Sequence, residues 1–290
     1  MSRDYFIDED DYEEEKKKHP IRTLFFSTIL FISLIIIYSR YIGTSGLFVK
    51  EYNIKSKNIT DTYNGLKIAH FSDFHYGRTT KLNELKHLVN DINKEKPDIV
   101  VFTGDFIDKD VWVNDNTIAQ ISDELKKIDS TYGNYYVNGN HDNKLDKYKK
   151  MMDDGGFIDL NNSYDVIYNT SNETILISGL STKNDIGFLD EAFKDKFYNY
   201  KINIMHYPDD IKKIEKYNYD LVLAGHSHNG QINIPFYGAL FKPDHARKYY
   251  KPYYKINSTD FYISSGIGTS NYNFRFNNRP SYNLYRLTNK

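Results

Sequence analysis

Five segments of this chain share one pattern, in which an apolar run of strand length ends in a turn that carries Asp, His or Asn. In chain order, the segments are Asp73-Phe74-His75, Gly104-Asp105-Phe106-Ile107-Asp108, Gly139-Asn140-His141-Asp142, His206 and Gly225-His226-Ser227-His228. Carboxylate oxygens, amide oxygens and imidazole nitrogens are side-chain ligands of divalent metals. The turns hold five of the nine histidines, so together they predict one shared metal site.

Taken one at a time, these turns have simpler interpretations. A histidine at the end of a strand is usually a surface or core residue, and Gly139 with Asn140 could form an ordinary turn. The common position of all five turns, each after an apolar strand, favours a shared site over independent coincidences. In open α/β sheets, ligand sites form on the loops past the carboxyl ends of strands.

Apolar runs and amphipathic segments predict the elements that position these turns. The predicted strands are 67–72, 99–103, 135–138, 174–180, 202–205, 221–224, 261–264 and 284–287. Apolar residues that recur on one helical face predict helices at 82–92, 118–128 and 211–214. The alternation of short strands with helices is typical of a layered α/β domain with central sheets.

The N-terminal part of the chain has a different composition. Residues 1–22 form a polar tail with acidic and basic blocks, which is typical of disordered, solvated segments. The 17 residues 23–39 carry no charge and are mostly Leu, Ile and Phe. A helix of that length covers about 25 Å, near the lower limit for a membrane span. We therefore predict a transmembrane helix over 23–42.

A core helix and a cleaved signal peptide are the alternatives to this anchor. A core helix is disfavoured because the stretch is apolar on every side and adjoins a charged tail. A signal peptide stays open, since Gly43-Thr44-Ser45 offers small residues, although no Ala-x-Ala-like site follows. Lysines 16–18 and Arg22 precede the span, and only Arg40 and Lys50 closely follow it. This bias predicts a single pass through the cell membrane, with a cytoplasmic N-terminus and an extracytoplasmic catalytic domain.

Size and charge narrow the function classes further. The 290 residues carry a formal net charge of −1, so no overall basic field favours a nucleic-acid partner. The chain has no Cys, which excludes a thiol nucleophile, a Cys-rich zinc site and a disulfide framework. After the predicted anchor, we expect a linker and first strand at 43–66 and one catalytic domain at 67–290.

The motifs resemble the signature of the calcineurin-like metallophosphoesterases, which is Asp-x-His, Gly-Asp-x-x-Asp, Gly-Asn-His-Asp/Glu, a lone His and Gly-His-x-His. All five parts occur in this order between residues 67 and 228. Gly230-Gln231-Ile232, residues 265–269 and Arg275-Phe276 are also similar to a bacterial, membrane-anchored branch, although Ser265 replaces an Arg often found there. The resemblance implies a β-sandwich flanked by helices, in four layers α/β/β/α.

The resemblance also implies a site for two divalent transition-metal ions. One metal would be held by Asp73, His75, Asp105 and His228, and the other by Asp105, Asn140, His206 and His226. Asp105 would bridge the two ions, because a carboxylate has two oxygens. Neutral His and Asn ligands would leave positive charge for the phosphoryl oxygens. The mixed nitrogen and oxygen donors suit Mn, Fe, Zn or Co better than Mg or Ca.

Other residues receive roles from the same resemblance. His141 would be the general acid that protonates the leaving oxygen, with a hydrogen bond to phosphate as its alternative role. Asp108 and Asp142 would orient histidines, with helix capping as the alternative for Asp142. Arg275 would contact the phosphate of the substrate, with capping of a surface loop as its alternative role.

Together, these features predict a membrane-anchored phosphoesterase that cleaves a phosphoester, phosphodiester or pyrophosphate bond by attack of activated water. Only about 25 residues separate the predicted anchor from the strand at residue 67, so we expect a lipid-linked or cell-envelope substrate. The alternatives are a general phosphodiesterase or nucleotidase, a non-catalytic metal-bound sensor, and a nucleic-acid enzyme, which the balanced charge disfavours. The sequence does not indicate which proteins, if any, are partners.

Overall fold

The computed structural model describes residues 20–142, 147–169, 171–183, 185–194 and 196–289. The predicted polar tail lies outside these residues, except for Pro20, Ile21 and Arg22. The chain divides into two compact units, of which the first ends at Ile37 and the second is Tyr38–Lys290.

The described part of the first unit is a single helix, α1 (Pro20–Ile37), whose apolar side chains are largely exposed. The second unit begins with a π-helical turn, Tyr38–Ile42. By length and composition alone, Pro20–Ile42 is long and apolar enough to cross a membrane. The helix starts before the predicted span because Pro20, which lacks an amide hydrogen, fits the first turn of a helix.

The second unit contains two six-stranded sheets and a small hairpin. In chain order, the strands are β1 (Phe48–Lys55), β2 (Lys67–Phe71), β3 (Ile99–Phe102), β4 (Asn134–Tyr136), β5 (Phe157–Asp159), β6 (Ser163–Tyr168), β7 (Thr174–Leu180), β8 (Tyr200–Met205), β9 (Leu221–Ala224), β10 (Asn233–Ile234), β11 (Gly238–Ala239), β12 (Tyr253–Ile256), β13 (Thr259–Ile263) and β14 (Ser281–Thr288). The first sheet has the order β1-β14-β2-β3-β4-β5, and the second has the order β12-β13-β9-β8-β7-β6. Strands β10 and β11 form the hairpin.

Most neighbouring strands are parallel. Strands β2 to β5 run parallel to one another in the first sheet, and β7, β8, β9 and β13 do so in the second. Strand β14 is antiparallel to β2, while the edge strands β6 and β12 are antiparallel to their neighbours. Parallel strands place their carboxyl ends at the same edge of a sheet, so the turns after β2, β3 and β4 come together, as do those after β8 and β9.

Three buried apolar clusters separate the layers of the second unit. The helices are α2 (Leu82–Glu95), α3 (Asp115–Leu125), α4 (Tyr148–Asp154), α5 (Gly187–Phe193) and α6 (Ile211–Ile214). One cluster joins α2, α3 and α4 to the first sheet, and another joins α5 and α6 to the second. The third lies between the two sheets. The predicted order of layers, α/β/β/α, is therefore confirmed.

Strand β3 illustrates how the sequence forms these layers. Ile99 and Val101 belong to the cluster between the sheets, whereas Val100 and Phe102 belong to the cluster under the helices. Side chains alternate between the two faces of a strand, so a strand covered on both faces reads as a continuous apolar run. This is why the central strands could be predicted.

Each predicted strand and helix has a counterpart in the structure, with ends that differ by at most three residues. Among the described residues, strands β5, β6, β10, β11 and β12 and helices α4 and α5 were not predicted. Strand β5 has only three residues, and β6 is an edge strand whose side chains are mostly half-buried. Neither strand therefore has a continuous apolar run.

Candidate metal centre

The turns after five strands meet at one edge of the sandwich. The first sheet contributes the turns after β2, β3 and β4, and the second contributes those after β8 and β9. The side chains brought together are Asp73, His75, Asp105, Asn140, His141, His206, His226 and His228. All of them are buried except Asn140 and His226, which are half-buried.

A first cluster of donor atoms consists of Asp73, His75 and His228, whose candidate ligand atoms all lie within 4.8 Å of one another. Nε2 of His75 lies 3.1 Å from Nε2 of His228. The same nitrogen of His228 lies 3.4 Å from Oδ1 of Asp73. Oδ2 of Asp105 lies 3.9 Å from Nε2 of His75, at the side of this cluster.

A second cluster consists of Asp105, His206 and His226, again with candidate ligand atoms within 4.8 Å of one another. Nε2 of His206 lies 3.4 Å from Oδ2 of Asp105 and 3.1 Å from Oδ1 of Asn140. Oδ2 of Asp105 is thus close to both clusters. The fold thus brings the residues of each predicted group close together, and a third cluster of donor atoms, from His75, Asp108 and His141, lies beside them.

Each of the four histidines in these clusters has one ring nitrogen beside a partner outside the cluster. The partners are Oδ2 of Asp108 for His75 Nδ1 (3.3 Å), the carbonyl of Thr103 for His206 Nδ1 (2.7 Å), the carbonyl of Asp244 for His226 Nε2 (2.7 Å) and Nη2 of Arg275 for His228 Nδ1 (3.3 Å). Such partners fix the orientation of a metal-ligating imidazole. For His75, His206 and His226, whose partners are acceptors, the other ring nitrogen stays available to a metal, while Nδ1 of His228 faces a donor.

The backbone at the clusters adopts a conformation that is rare for residues with side chains. Five cluster residues have φ in the left-handed region: Asp73 (50°), His75 (48°), Asp105 (60°), His226 (64°) and His228 (47°). A non-glycine residue in that region costs about 1–3 kcal/mol, and such residues concentrate at functional sites. The surrounding fold therefore holds these five side chains in place against a local preference.

Two glycines allow the turns after β3 and β4 to touch. Gly104 has a φ of 92°, and a Cβ there would clash with the backbone of Gly139. A Cβ on Gly139 would clash with the carboxylate and amide of Asp105. Glycine is thus required at both positions by close backbone approach.

Burial and mutual attraction dominate the electrostatics of the clusters. Burial raises the pKa of the Asp73 carboxyl. Burial also opposes charge on Asp105 and His206, but the two side chains attract each other when both are charged. This attraction holds the pKa of Asp105 well below its usual range and raises the pKa of His206 to about 9. Burial lowers the pKa of His226 to about 3 and that of His228 well below its ordinary value. Neutral imidazoles are the form that binds metals.

Residues 66–230 match the family model described as calcineurin-like phosphoesterase, which covers more than half of the chain. The chain belongs to this family. Its members depend on two metal ions and hydrolyse phosphoesters. The protein is accordingly a metal-dependent phosphoester hydrolase.

Three relatives illustrate the range of the similarity. The uncharacterised metallophosphoesterase YkuE of Bacillus subtilis is 31% identical over 86% of this chain and 88% of its own length. The phosphodiesterase YaeI of Escherichia coli is 24% identical over 76% of this chain and 82% of its own length. A transmembrane protein with a metallophosphoesterase domain from Danio rerio is 23% identical over 72% of this chain and 53% of its own length.

The donor set of this phosphoesterase fits two metal ions. Each cluster offers both carboxylate oxygen and imidazole nitrogen, and the partners beside the outer nitrogens leave one nitrogen of each ring directed into a cluster. This combination suits divalent transition metals.

His141 lies beside both clusters. The backbone amide of Lys109 donates a hydrogen bond to Nδ1 of His141 (3.2 Å), so the ring carries its proton on Nε2. That nitrogen lies 3.8 Å from Oδ2 of Asp105. Burial lowers the pKa of His141 to about 4. The ring is therefore a neutral donor that faces the centre of the site.

The two carboxylates predicted to orient histidines differ in their contacts. Asp108 lies between His75 and Arg78, with distances of 3.3 and 3.2 Å, so it is placed to orient a histidine. Asp142 instead accepts hydrogen bonds from the backbone amides of Gly139 (2.8 Å) and Asp105 (2.7 Å). In this structure Asp142 fixes the turn that carries Asp105.

Arg275 lies behind the metal centre and is fully buried. Its guanidinium donates to the carbonyls of Gly266 and Gly268 and lies 3.3 Å from Nδ1 of His228. Burial lowers its pKa to about 9. This position gives Arg275 contact with a histidine rather than with the cleft where a substrate phosphate would bind.

Sequence reasoning did not assign two groups at the site. One is Lys109, which lines the cleft and donates its backbone amide to His141. Lys109 directly follows Asp108, so its position next to a motif could have indicated a role at the site. Phe241 and Tyr272 also line the cleft. They lie on loops beyond the motifs, where no periodicity or spacing indicates a function.

The contact between Gly139 and Asp105 generates a prediction. We expect Gly139→Ala to displace the Asp105 carboxylate and to lower turnover by about 100-fold, the effect typical of a misplacement of about 1 Å. Bound metal, measured by elemental analysis, should fall as well. The matched control is Gly187→Ala, because the nearest atom to a Cβ at Gly187 would be Oδ1 of Asp185, at 3.3 Å. Equal activity in the two variants would contradict the required contact.

Proposed function

We propose that this protein is a membrane-anchored phosphoesterase with a dinuclear metal centre, which cleaves its substrate by direct attack of water. The observation that carries the proposal is the position of Asp105, whose Oδ2 lies 3.9 Å from His75 and 3.4 Å from His206. A carboxylate that lies close to both donor clusters is placed to act as a bridging ligand.

In this proposal, Asp73, His75, Asp105 and His228 hold one ion. The other ion is held by Asp105, Asn140, His206 and His226. When bound, two such cations polarise a phosphoryl group and lower the pKa of a water nucleophile. The residues fix where that chemistry takes place, because their turns are tied to the ends of rigid strands.

A cleft of about 340 Å³ opens in front of the proposed centre. Lys109 and Lys242 line it and offer positive charge to a phosphate. Phe241 and Tyr272 line it as well and offer apolar surface to the rest of a substrate. The cleft thus suits a molecule with a phosphoryl group and an adjoining less polar part.

His141 is the proposed donor to the leaving oxygen. Its Nδ1 accepts a hydrogen bond from the amide of Lys109, so Nε2–H is directed toward the site. Donation from this nitrogen would stabilise the negative charge that develops on the departing oxygen.

We further propose a substrate that is lipid-linked or part of the cell envelope. The support is the short connection, since about 30 residues separate the end of the candidate span at Ile42 from Asp73. The lysines that precede the span favour a cytoplasmic N-terminus and an extracytoplasmic catalytic unit. A general phosphodiesterase or nucleotidase is the second candidate, favoured by the similarity to the phosphodiesterase YaeI.

The role of Asp105 predicts the effect of removing its charge. We expect the full chain, purified in detergent and loaded with Mn, Fe, Zn or Co, to bind two metal ions, and Asp105→Asn to bind at most one. Turnover should fall by more than the 10–100-fold typical of losing an outer partner of a ligand. Elemental analysis and hydrolysis of model phosphomonoesters and diesters measure both effects. The control is Asp110→Asn, which changes an exposed carboxylate near the same turn. Two bound metals with full activity in Asp105→Asn would refute the bridging role.

The role of His141 predicts a dependence on the leaving group. We expect His141→Gln to keep both metals, because His141 is not a proposed ligand. The rate should fall by about 10²–10⁴-fold with an alkyl leaving group. With a p-nitrophenolate leaving group, which needs little protonation, the loss should be much smaller. An equal loss with both leaving groups would indicate a hydrogen bond to a non-leaving phosphate oxygen instead.

The proposed substrate class predicts a preference for esters held in a membrane. For the full chain in lipid vesicles, kcat/KM should be at least about tenfold higher for a phospholipid diester than for a soluble analogue with the same head group. The comparison needs one enzyme preparation and both substrates. Equal values would support the general phosphodiesterase instead.

A further inference from the structure

An exposed aromatic surface lies on the hairpin β10–β11 and its flanks. We call it the aromatic rim, and it consists of Ile234, Phe236, Tyr237, Leu240, Phe241 and Tyr272. Phe236 is fully exposed, and Tyr237 is 74% exposed. Single exposed apolar residues are normal on a protein surface, but a group of six is not. Residues 66–230 match the family model, so the hairpin lies beyond the matched segment.

The aromatic rim adjoins the cleft. Phe241 and Tyr272 line the cleft, and their ring centroids lie 6.1 Å apart. The side chains of Phe236 and Tyr237 lie further along the hairpin and do not line it. Whatever the rim contacts is therefore brought next to the opening of the metal centre.

The aromatic rim also lies close to the point where the chain enters the second unit. The ring of Tyr38, in the turn that ends the candidate span, contacts the ring of Phe276 at a centroid distance of 6.2 Å. Phe276 accepts a backbone hydrogen bond from Asn233 (2.9 Å), the first residue of β10. Phe236 is three residues further on, so it lies within about 11 Å of that bond.

The composition of the hairpin suits the surface of a bilayer. Residues 231–243 contain no Asp or Glu and one basic residue, Lys242. Aromatic side chains are enriched at membrane–water interfaces, and Lys can extend its ammonium toward the head groups. Tyr41 and Ile42, three and four residues after Tyr38, are exposed too, so the rim and the first turn of the second unit both present such side chains.

We infer that the aromatic rim is a second membrane contact, which inserts Phe236 and Tyr237 into the interfacial region of the bilayer. The occupant is lipid rather than another protein, because the rim protrudes at a hairpin tip and lies beside the end of a candidate membrane span. With the rim in the interface, the cleft opens at the level of the lipid head groups. The inference that the substrate is reached at the membrane surface rests on the proposed function. The contact between the aromatic rim and lipid can be measured without any activity.

The test uses the single tryptophan of the chain. In a Trp112→Phe background, a tryptophan is placed by Phe236→Trp in one variant and by Phe197→Trp in the other. Phe197 is 82% exposed and precedes β8, so it lies at the edge of the second sheet opposite the metal centre. The full chains are reconstituted into vesicles whose lipids carry bromine on the acyl chains. We expect the emission of the Phe236→Trp variant to be blue-shifted and quenched, and that of the Phe197→Trp variant to be unchanged.

Two results would overturn the inference. One is equal emission from both variants in brominated and ordinary vesicles. The other is a Phe236→Trp variant whose emission is quenched neither by bromine in the lipid nor by iodide in the water. That result would indicate that protein, such as a second copy of the chain, covers the rim.

A second measurement separates this inference from the proposed function. The double variant Phe236→Ser with Tyr237→Ser should hydrolyse a soluble diester like the parent chain, while hydrolysis of a vesicle-borne diester falls by about tenfold. If the double variant hydrolyses both the soluble and the vesicle-borne diester as fast as the parent chain does, the inference is overturned and the proposed phosphoesterase activity is unaffected. Quenching without hydrolysis of any phosphoester would refute the proposed function and leave the membrane contact intact.

Discussion

The close approach of ionisable side chains in a buried space is the constraint on which the rest of this structure depends. Asp73 and Asp105 are buried beside four imidazoles, some with nitrogen atoms as close as 3.1 Å. Burial of charge is expensive unless an opposite charge or a hydrogen bond compensates it. Divalent cations in the proposed centre would supply that compensation, which would couple occupancy of the centre to stability of the fold.

The sandwich is what permits such a centre. Five of the donor residues have left-handed backbone conformations, which are unfavourable for Asp and His. The strands before them are packed on both faces, and glycines at 104 and 139 let neighbouring turns touch. The rigid sheets thus hold the reactive groups, while loops after residue 230 form the aromatic rim and one side of the cleft.

Much of the fold and most of the site follow from local sequence. The central strands are covered on both faces, so their apolar runs are continuous, and motif residues follow them directly. The positions of Asp73, Asp105 and His206 past strand ends could therefore be predicted. The edge strand β6 and the short strand β5 could not, because partial exposure and short length remove the periodic signal.

The sequence by itself determined which side chains can bind metal, that they lie past strand ends, and that an apolar segment precedes the catalytic unit. Only the tertiary structure decided what surrounds them. Arg275 lies behind His228 rather than in the cleft, and Asp142 holds the amide of Asp105 rather than a histidine. The ring of Tyr38 meets that of Phe276 across more than 230 residues of chain. Such contacts join residues that are distant in the sequence and depend on how the sheets pack and where the loops run. No local pattern of residue types determines that packing.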